Sequence, residues 1–120
     1  MNMEELRSYC LSKHSVTENF PFDEDTLVFK VLDKIFALVP LGKWECGEAS
    51  INLKADPDYA IELREQHSSI RAGFHMNKKH WNTVFIHEGE ISASFLMELI
   101  DHSYDMVVKG MTKKLRDSLQ

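Results

Sequence analysis

Between Gly73 and Val84 the chain reads Gly-Phe-His-Met-Asn-Lys-Lys-His-Trp-Asn-Thr-Val, a run with two imidazoles, two adjacent lysines, an indole, two asparagine amides and no carboxylate. Side chains of these types bind anions and planar rings. Lys78 and Lys79 can donate to phosphate oxygens, Asn77 and Asn82 can add amide hydrogen bonds, and His80 or Trp81 offers a face on which a base can stack. The competing account is a solvated turn between two strands. Under it, Trp81 heads a strand and packs in the core with Val84 and Ile86, and its position favours packing.

Two further groups extend this candidate surface. Asn52 and Lys54 alternate with Ile51 and Leu53, which turns both polar residues outward from a half-buried strand. Lys109, Lys113, Lys114 and Arg116 cluster near the C-terminus, where cations at a helix end complement its dipole for roughly a few tenths of a kcal/mol each. Lys113 and Lys114 would join the surface where that helix end lies beside the Lys78-Lys79 loop.

Metal and catalytic chemistry find little footing. His75, His80 and His87 are spaced by 5 and 7 residues, which matches no helical His pair, and strand alternation would scatter them between faces, even with His102 added. No metal or other cofactor is expected. The chain has no G-x-S-x-G, P-loop or G-x-G-x-x-G motif, and no nucleophile stands at a recognisable spacing from a base. The expectation is a protein that is not an enzyme.

The whole chain frames these residues. Its 120 residues suit one domain over residues 1–120, with one hydrophobic core. Apolar residues at 43% and charged residues at 28% exclude a disordered chain. No apolar run reaches the roughly 20 residues of a membrane helix, and Met1-Asn2-Met3-Glu4-Glu5 lacks the features of a signal peptide. A cytoplasmic protein without membrane contact is expected, with Cys10 and Cys46 as reduced thiols. Residues 1–65 hold 13 Asp/Glu against 7 Lys/Arg and residues 66–120 hold 6 against 7, so an anion is welcome only in the second half of a chain of net charge −5. A pI near 5.6 is far from the basic footprint usual for a nucleic-acid binder.

The elements that must position the run follow from periodicity and punctuation. Asn2 caps a helix over about residues 3–13 with Leu6, Tyr9, Cys10 and the stem of Lys13 on one stripe. Residues 16–22 look extended, with Pro21 opposing helix. Thr26–Val31 and Ile35–Leu41 form a hairpin around Asp33-Lys34, and Trp44 lies in a loop between Gly42 and Gly47. Residues 50–54 add a strand. Asp56-Pro57 starts a helix to about Gln66, with Ala60, Ile61 and Leu63 buried. Gly73–His75 and Trp81–His87 read as strands flanking a loop or single turn. Ser92 caps a final helix, stapled by Ile91 on Leu96, whose stripe runs through Leu99, Ile100, Tyr104 and Val107 to Leu115 for about six turns, with Gly110 as a bend. Tyr104 is expected to fill the helix-sheet interface while its hydroxyl finds a polar partner. Helix, strands, helix, strands and long helix make an α+β domain with an antiparallel sheet covered on one face.

Five motifs in order also carry a family resemblance: Phe20-Pro21-Phe22 with Thr26-Leu27-Val28-Phe29-Lys30-Val31; Ile35-Phe36-Ala37-Leu38; Ile51-Asn52-Leu53-Lys54-Ala55-Asp56-Pro57; His75-Met76-Asn77-Lys78-Lys79-His80-Trp81-Asn82-Thr83-Val84; and Ile100-Asp101-His102-Ser103-Tyr104-Asp105-Met106-Val107-Val108-Lys109. The chain resembles the MmcQ/YjbR family, small bacterial proteins described as DNA-binding. The resemblance implies a CyaY-like (frataxin-like) fold: an antiparallel sheet with N- and C-terminal helices packed on one face and an extra helix between strands. It also implies a DNA partner for Asn77, Lys78, Lys79, His80, Trp81, Asn82, Lys54, Lys113 and Lys114, in a monomer or weak dimer. A protein-interaction or regulatory module, with a protein partner in place of DNA, is the alternative. Frataxins bind iron on acidic ridges, but Asp23-Glu24-Asp25 reads as a solubilising surface.

Overall fold

In the computed structural model of the chain, which describes residues 1–73 and 76–119, Asn2 opens α1 (Met3–Leu11) by a reciprocal exchange. Its Oδ1 accepts from the Glu5 N–H at 2.8 Å while the Glu5 carboxylate accepts from the Asn2 N–H at 3.0 Å, a capping box that satisfies donors the helix cannot. After α1 come β1 (Val16–Asn19), β2 (Thr26–Val31) and β3 (Lys34–Pro40), then α2 (Leu41–Glu45) and β4 (Ser50–Lys54). Next are α3 (Pro57–Gln66), β5 (Ile70–Ala72), β6 (Trp81–Phe85), a 3₁₀ turn at Ile86–Glu88, α4 (Ala93–Lys109) and α5 (Lys113–Asp117). The strands form one sheet in the order β1-β2-β3-β4-β6-β5 with antiparallel neighbours. This is the α+β, CyaY-like arrangement expected from the sequence.

Ladder register divides the sheet into two unlike faces. Leu27, Phe29, Ala37, Val39, Ile51, Leu53 and Val84 point one way and join Leu6 and Cys10 of α1, Leu63 of α3, and Leu96, Leu99, Ile100 and Val107 of α4 in one buried cluster. Each such side chain taken fully out of water contributes about 1.5–3 kcal/mol, so this side holds the fold together. Among the described residues the other face carries no helix, although Val28, Leu38 and Thr83 on it are buried. Val28, Lys30, Leu38, Asn52, Thr83 and Trp81 lie on it by pairing, in the rows Val28↔Leu38↔Asn52↔Thr83 and Lys54↔Trp81.

A bulge at Phe36 shifts the β2–β3 register and leaves β3 and β4 paired only at Ala37↔Leu53 and Leu38↔Asn52. Ser103 of α4 closes the gap. Its hydroxyl donates to the Phe36 carbonyl at 2.5 Å and accepts from the Lys54 N–H at 2.8 Å, replacing the missing ladder bonds. The next residue, Tyr104, sets its ring edge-on to Phe36, centroids 5.4 Å apart at 86°, and donates its hydroxyl to the His14 carbonyl at 2.7 Å. The packed ring and the polar partner are those expected of it.

Several boundaries differ from the sequence reading. The β2–β3 turn falls at Leu32-Asp33, both at positive φ, because this mirror-image turn matches the strand twist. Residues 41–45 form α2, and the indole Nε1–H of Trp44 donates to the Ser50 carbonyl at 2.9 Å. Strand β5 ends at Ala72, and the expected strand residues Phe74 and His75 lie outside the described residues. Ile61 is 47% exposed rather than buried. The long helix stops at Lys109, with Gly110 as its C-cap, and Thr112 caps a separate α5. Lys113 and Lys114 therefore open a new helix instead of complementing the C-terminus of α4. Among the described residues, no helix is long and apolar enough to cross a membrane.

Candidate nucleic-acid interface

The loop before β6 is built by short-range hydrogen bonds. Asn77 Oδ1 accepts from the Lys79 N–H at 3.0 Å, and the Asn77 carbonyl accepts from the His80 and Trp81 N–H groups at 3.2 and 2.9 Å. This asparagine turn leaves Lys78 and Lys79 exposed at its tip. Gly73 permits the close return, since a Cβ there would meet Trp81 Cβ and the Trp81 carbonyl oxygen at 3.3 Å. From α3, Arg64 clamps the turn: its Nη1 donates to the Lys78 carbonyl and to Asn82 Oδ1, both at 2.9 Å.

The expected site residues separate into three places. Of the two accounts of Trp81, packing in the core with Val84 does not hold: it is half-buried on the uncovered face, because the strand it heads is core-facing at Asn82 and Val84 and alternation puts Trp81 and Thr83 on the other side. Asn82 faces inward, 2% exposed, with Nδ2 donating to the Ala60 carbonyl at 3.2 Å and Oδ1 taken by Arg64. Its amide is thereby withdrawn from the surface. His80 is half-buried, and its Nδ1 has no hydrogen-bond partner among the described residues. Lys54 pairs with Trp81 across the β4–β6 ladder. It also borders a cleft of about 230 Å³ with Lys34, Ile35 and the Gly110-Met111 end of α4. Lys113 and Lys114 are exposed on α5, which follows the cleft-lining Met111 in the chain.

Trp81 borders a groove of about 590 Å³ on the uncovered face, together with Phe22, Ile35, Leu38, Asn52 and Met76. That volume falls within the roughly 300–1,000 Å³ of ordinary ligand clefts. Residues 20–25 bound it on one side and the loop at Met76 on the other. Its floor is polar where the Thr83 hydroxyl donates to Asn52 Oδ1. Phe22 is 65% exposed and Phe20 45%, an unusual outlay of large apolar surface.

Charge is distributed unevenly over the sheet. Among the described residues Glu18 is the single carboxylate in any strand, and it lies on the helix side, held by Arg7 of α1 at 2.6 Å. The uncovered face carries Lys30, Lys54 and Arg71 by register. Arg71 is committed elsewhere, stacked 4.4 Å above the Phe85 ring and paired with Glu88 at 2.8 Å. Among the described residues neither Lys30, on β2, nor Lys54, across the ladder from Trp81, is in an ion pair.

The acidic run at Asp23-Glu24-Asp25 has structural duties. Asp23 accepts from the N–H groups of Thr26 and Asp25 at 2.6 and 2.9 Å, bonds that hold its carboxyl below the usual range, and Asp25 accepts from the Gly42 N–H at 2.7 Å. Among the described residues no three His, Cys, Asp or Glu side chains are placed to hold a metal ion. Cys10 is fully buried, with its thiol pushed up to about 12 by burial. Cys46 is exposed.

Sequence reasoning missed Phe22, Lys30, Ile35, Leu38 and the clamp Arg64. A lysine inside the apolar run Thr26–Val31 and an aromatic-proline-aromatic turn ahead of it were the available signals.

Known proteins with this sequence pattern and geometry fall together. The YjbR family model matches residues 11–106. The protein YjbR of Escherichia coli strain K12 is 34% identical over 119 residues, covering 99% of this chain and 98% of its own. YbdF of Escherichia coli O157:H7 is 41% identical over 95 residues, covering 79% of this chain and 75% of its own. Among solved structures, Deinococcus radiodurans protein DR2400, with domain DUF419, superposes at a TM-score of 0.87 and 42% identity over 98% of this chain and 87% of that one. A Pseudomonas syringae protein superposes at 0.72 and 28% identity over 89% and 99%. With a family model covering most of its length and relatives matched nearly end to end, this chain belongs to the YjbR family.

Proposed function

We propose that the chain is a non-enzymatic module that binds DNA through the uncovered sheet face and the Lys78-Lys79 loop on its rim. One observation carries the reading. In a chain of net charge −5, that face holds Lys30, Lys54 and the Trp81 ring, with no carboxylate in its strands. Cations on this face attract phosphates while the acidic helices turn toward solvent on the opposite side. Lys113 and Lys114 reinforce the surface from α5.

A salt titration of binding to mixed-sequence DNA tests it. The wild-type chain should bind at low salt and weaken steeply as salt rises, toward the roughly 10⁻⁴ to 10⁻⁶ M of non-specific binders at physiological salt. Lys78→Ala/Lys79→Ala should weaken binding evenly across sequences and make the log-log salt slope shallower by roughly two units, one for each phosphate no longer neutralised. A wild-type chain that binds no DNA even at low salt would sink the reading. The exposure of Phe20 and Phe22 supports a second reading, in which the same groove docks a protein partner. Under that reading binding to the partner would persist at high salt and respond to Phe22→Ala instead.

A further inference from the structure

On the reading that this face binds nucleic acid, we infer that its occupant is a single strand, with phosphates along the Lys54 and Lys78-Lys79 side and bases laid into the groove against Trp81. The shape of the molecule argues against a duplex. Six strands about 4.8 Å apart make a face roughly 24 Å across, about twice the ~12 Å width of the major groove. The face cannot enter it. The helices do not substitute for the sheet, because α1, α3 and α4 bury one side and show carboxylates such as Glu4, Glu62 and Glu98 on the other. Helix α5 spans five residues.

The groove instead offers what a single strand uses. Half-buried Trp81 and exposed Phe22 both line it. A base inside a duplex has no free face, whereas an unpaired base can stack on an indole in a sequence-tolerant way. The groove also differs in charge between its two sides. Asp23 lines the Phe22 side, its carboxylate fixed by the Thr26 and Asp25 N–H groups, while Lys54 stands across the ladder from Trp81. Phosphates are repelled at Asp23 and attracted at Lys54, so the backbone tracks the Trp81 side and the bases reach toward Phe22.

Trp44 sits away from the groove, with its indole bonded to Ser50, so a Trp44→Phe background leaves Trp81 as the sole indole reporter. In it, an oligodeoxythymidine, an oligouridine and a DNA duplex, each of about 12 units and thus within the ~4–16 nucleotides one such site covers, are titrated at low salt. We expect at least one single strand to bind about fivefold or more tighter than the duplex and to shift Trp81 emission, since one stacked base is worth about 5- to 150-fold in affinity. Trp81→Ala should remove that preference by weakening the single strand more than the duplex. If Trp81→Ala fails to fold by circular dichroism, the emission change in the Trp44→Phe chain and a partial loss in Trp81→Phe decide the matter. A duplex that binds as tightly as both single strands with no change in Trp81 emission overturns the inference while the charge-based DNA reading stands. No binding by any of the three ends both.

Discussion

A single hydroxyl shows how local chemistry decides this fold. The bulge at Phe36 pulls β3 from β4, and Ser103 fills the opening with one donated and one accepted hydrogen bond at 0% exposure. Without the hydroxyl the Phe36 carbonyl and the Lys54 N–H would both lose this partner at the seam. Leaving a buried polar group unsatisfied costs about 1–3 kcal/mol, so Ser103→Ala should destabilise the chain by roughly 2–4 kcal/mol. That corresponds to a fall in melting temperature on the order of 10 °C, readable by circular dichroism. A fall of a degree or two would mean that water takes the place of the hydroxyl and that the seam does not depend on the side chain. In the sequence the same residue is visible only as part of a helix stripe. A serine among Leu99, Ile100 and Val107 signals a buried polar duty, but not which strands it joins.

At the scale of elements, legibility follows period and length. Helix α3 and strand β4 are legible to the residue because Asp56-Pro57 punctuates one and Ser50–Lys54 alternates cleanly. Strand β1 has four residues on a sheet edge, two of them polar and exposed, and α2 has five, too few to display any period. The face of Trp81 could have been settled from spacing alone. Val84 and Asn82 are two apart and share a side, which sends Trp81 to the other. What spacing could not supply was that helices cover only one side of the sheet. The break after α4 is a further case, because the apolar stripe continues through buried Met111 to Leu115 while the backbone stops at Gly110. Gly110 is in ordinary αR geometry at φ −79°, and an added Cβ would meet the Met106 and Val107 carbonyls at 3.5 and 3.6 Å, normal contact. Gly110→Ala should therefore stabilise the chain by about 0.4–1 kcal/mol through the unfolded state. A rise of a few degrees in melting temperature is expected. A fall would show that the α4–α5 break needs a glycine for reasons beyond its backbone angles.

Across the whole molecule, electrostatic polarity and acid sensitivity come from one layout. Carboxylates crowd the helices and loops, and two of them are held ionised by hydrogen bonds: Asp23 by Thr26 and Asp25, and Glu90 by the Ser69 hydroxyl and N–H and by His67. His102 adds a histidine to this acid response. It sits on α4 against the Tyr59 ring at 4.8 Å, its Nε2 accepts from the Asp56 N–H at 3.2 Å, and burial holds its pKa below the ordinary value despite the opposing pull of Asp56 and Asp105. A histidine depressed in the fold is neutral there while the unfolded chain, titrating at about 6.5, has begun to bind a proton. Its contribution to stability is complete above that pH and is lost as pH falls through the unfolded value toward the folded one. Protonation would also turn Nε2 from acceptor to donor and break the bond to Asp56, the cap of α3, which carries the clamp Arg64. Asp23 and Glu90 have the same sign at lower pH, where carboxylates titrate. Melting temperature measured from pH 7.5 to 5.5 should therefore decline more steeply in the wild-type chain than in His102→Gln, whose amide oxygen can accept from Asp56 and does not titrate. Parallel curves for the two chains would show that the docking of α3 and α4 is indifferent to His102, and that the acid response lies with other groups.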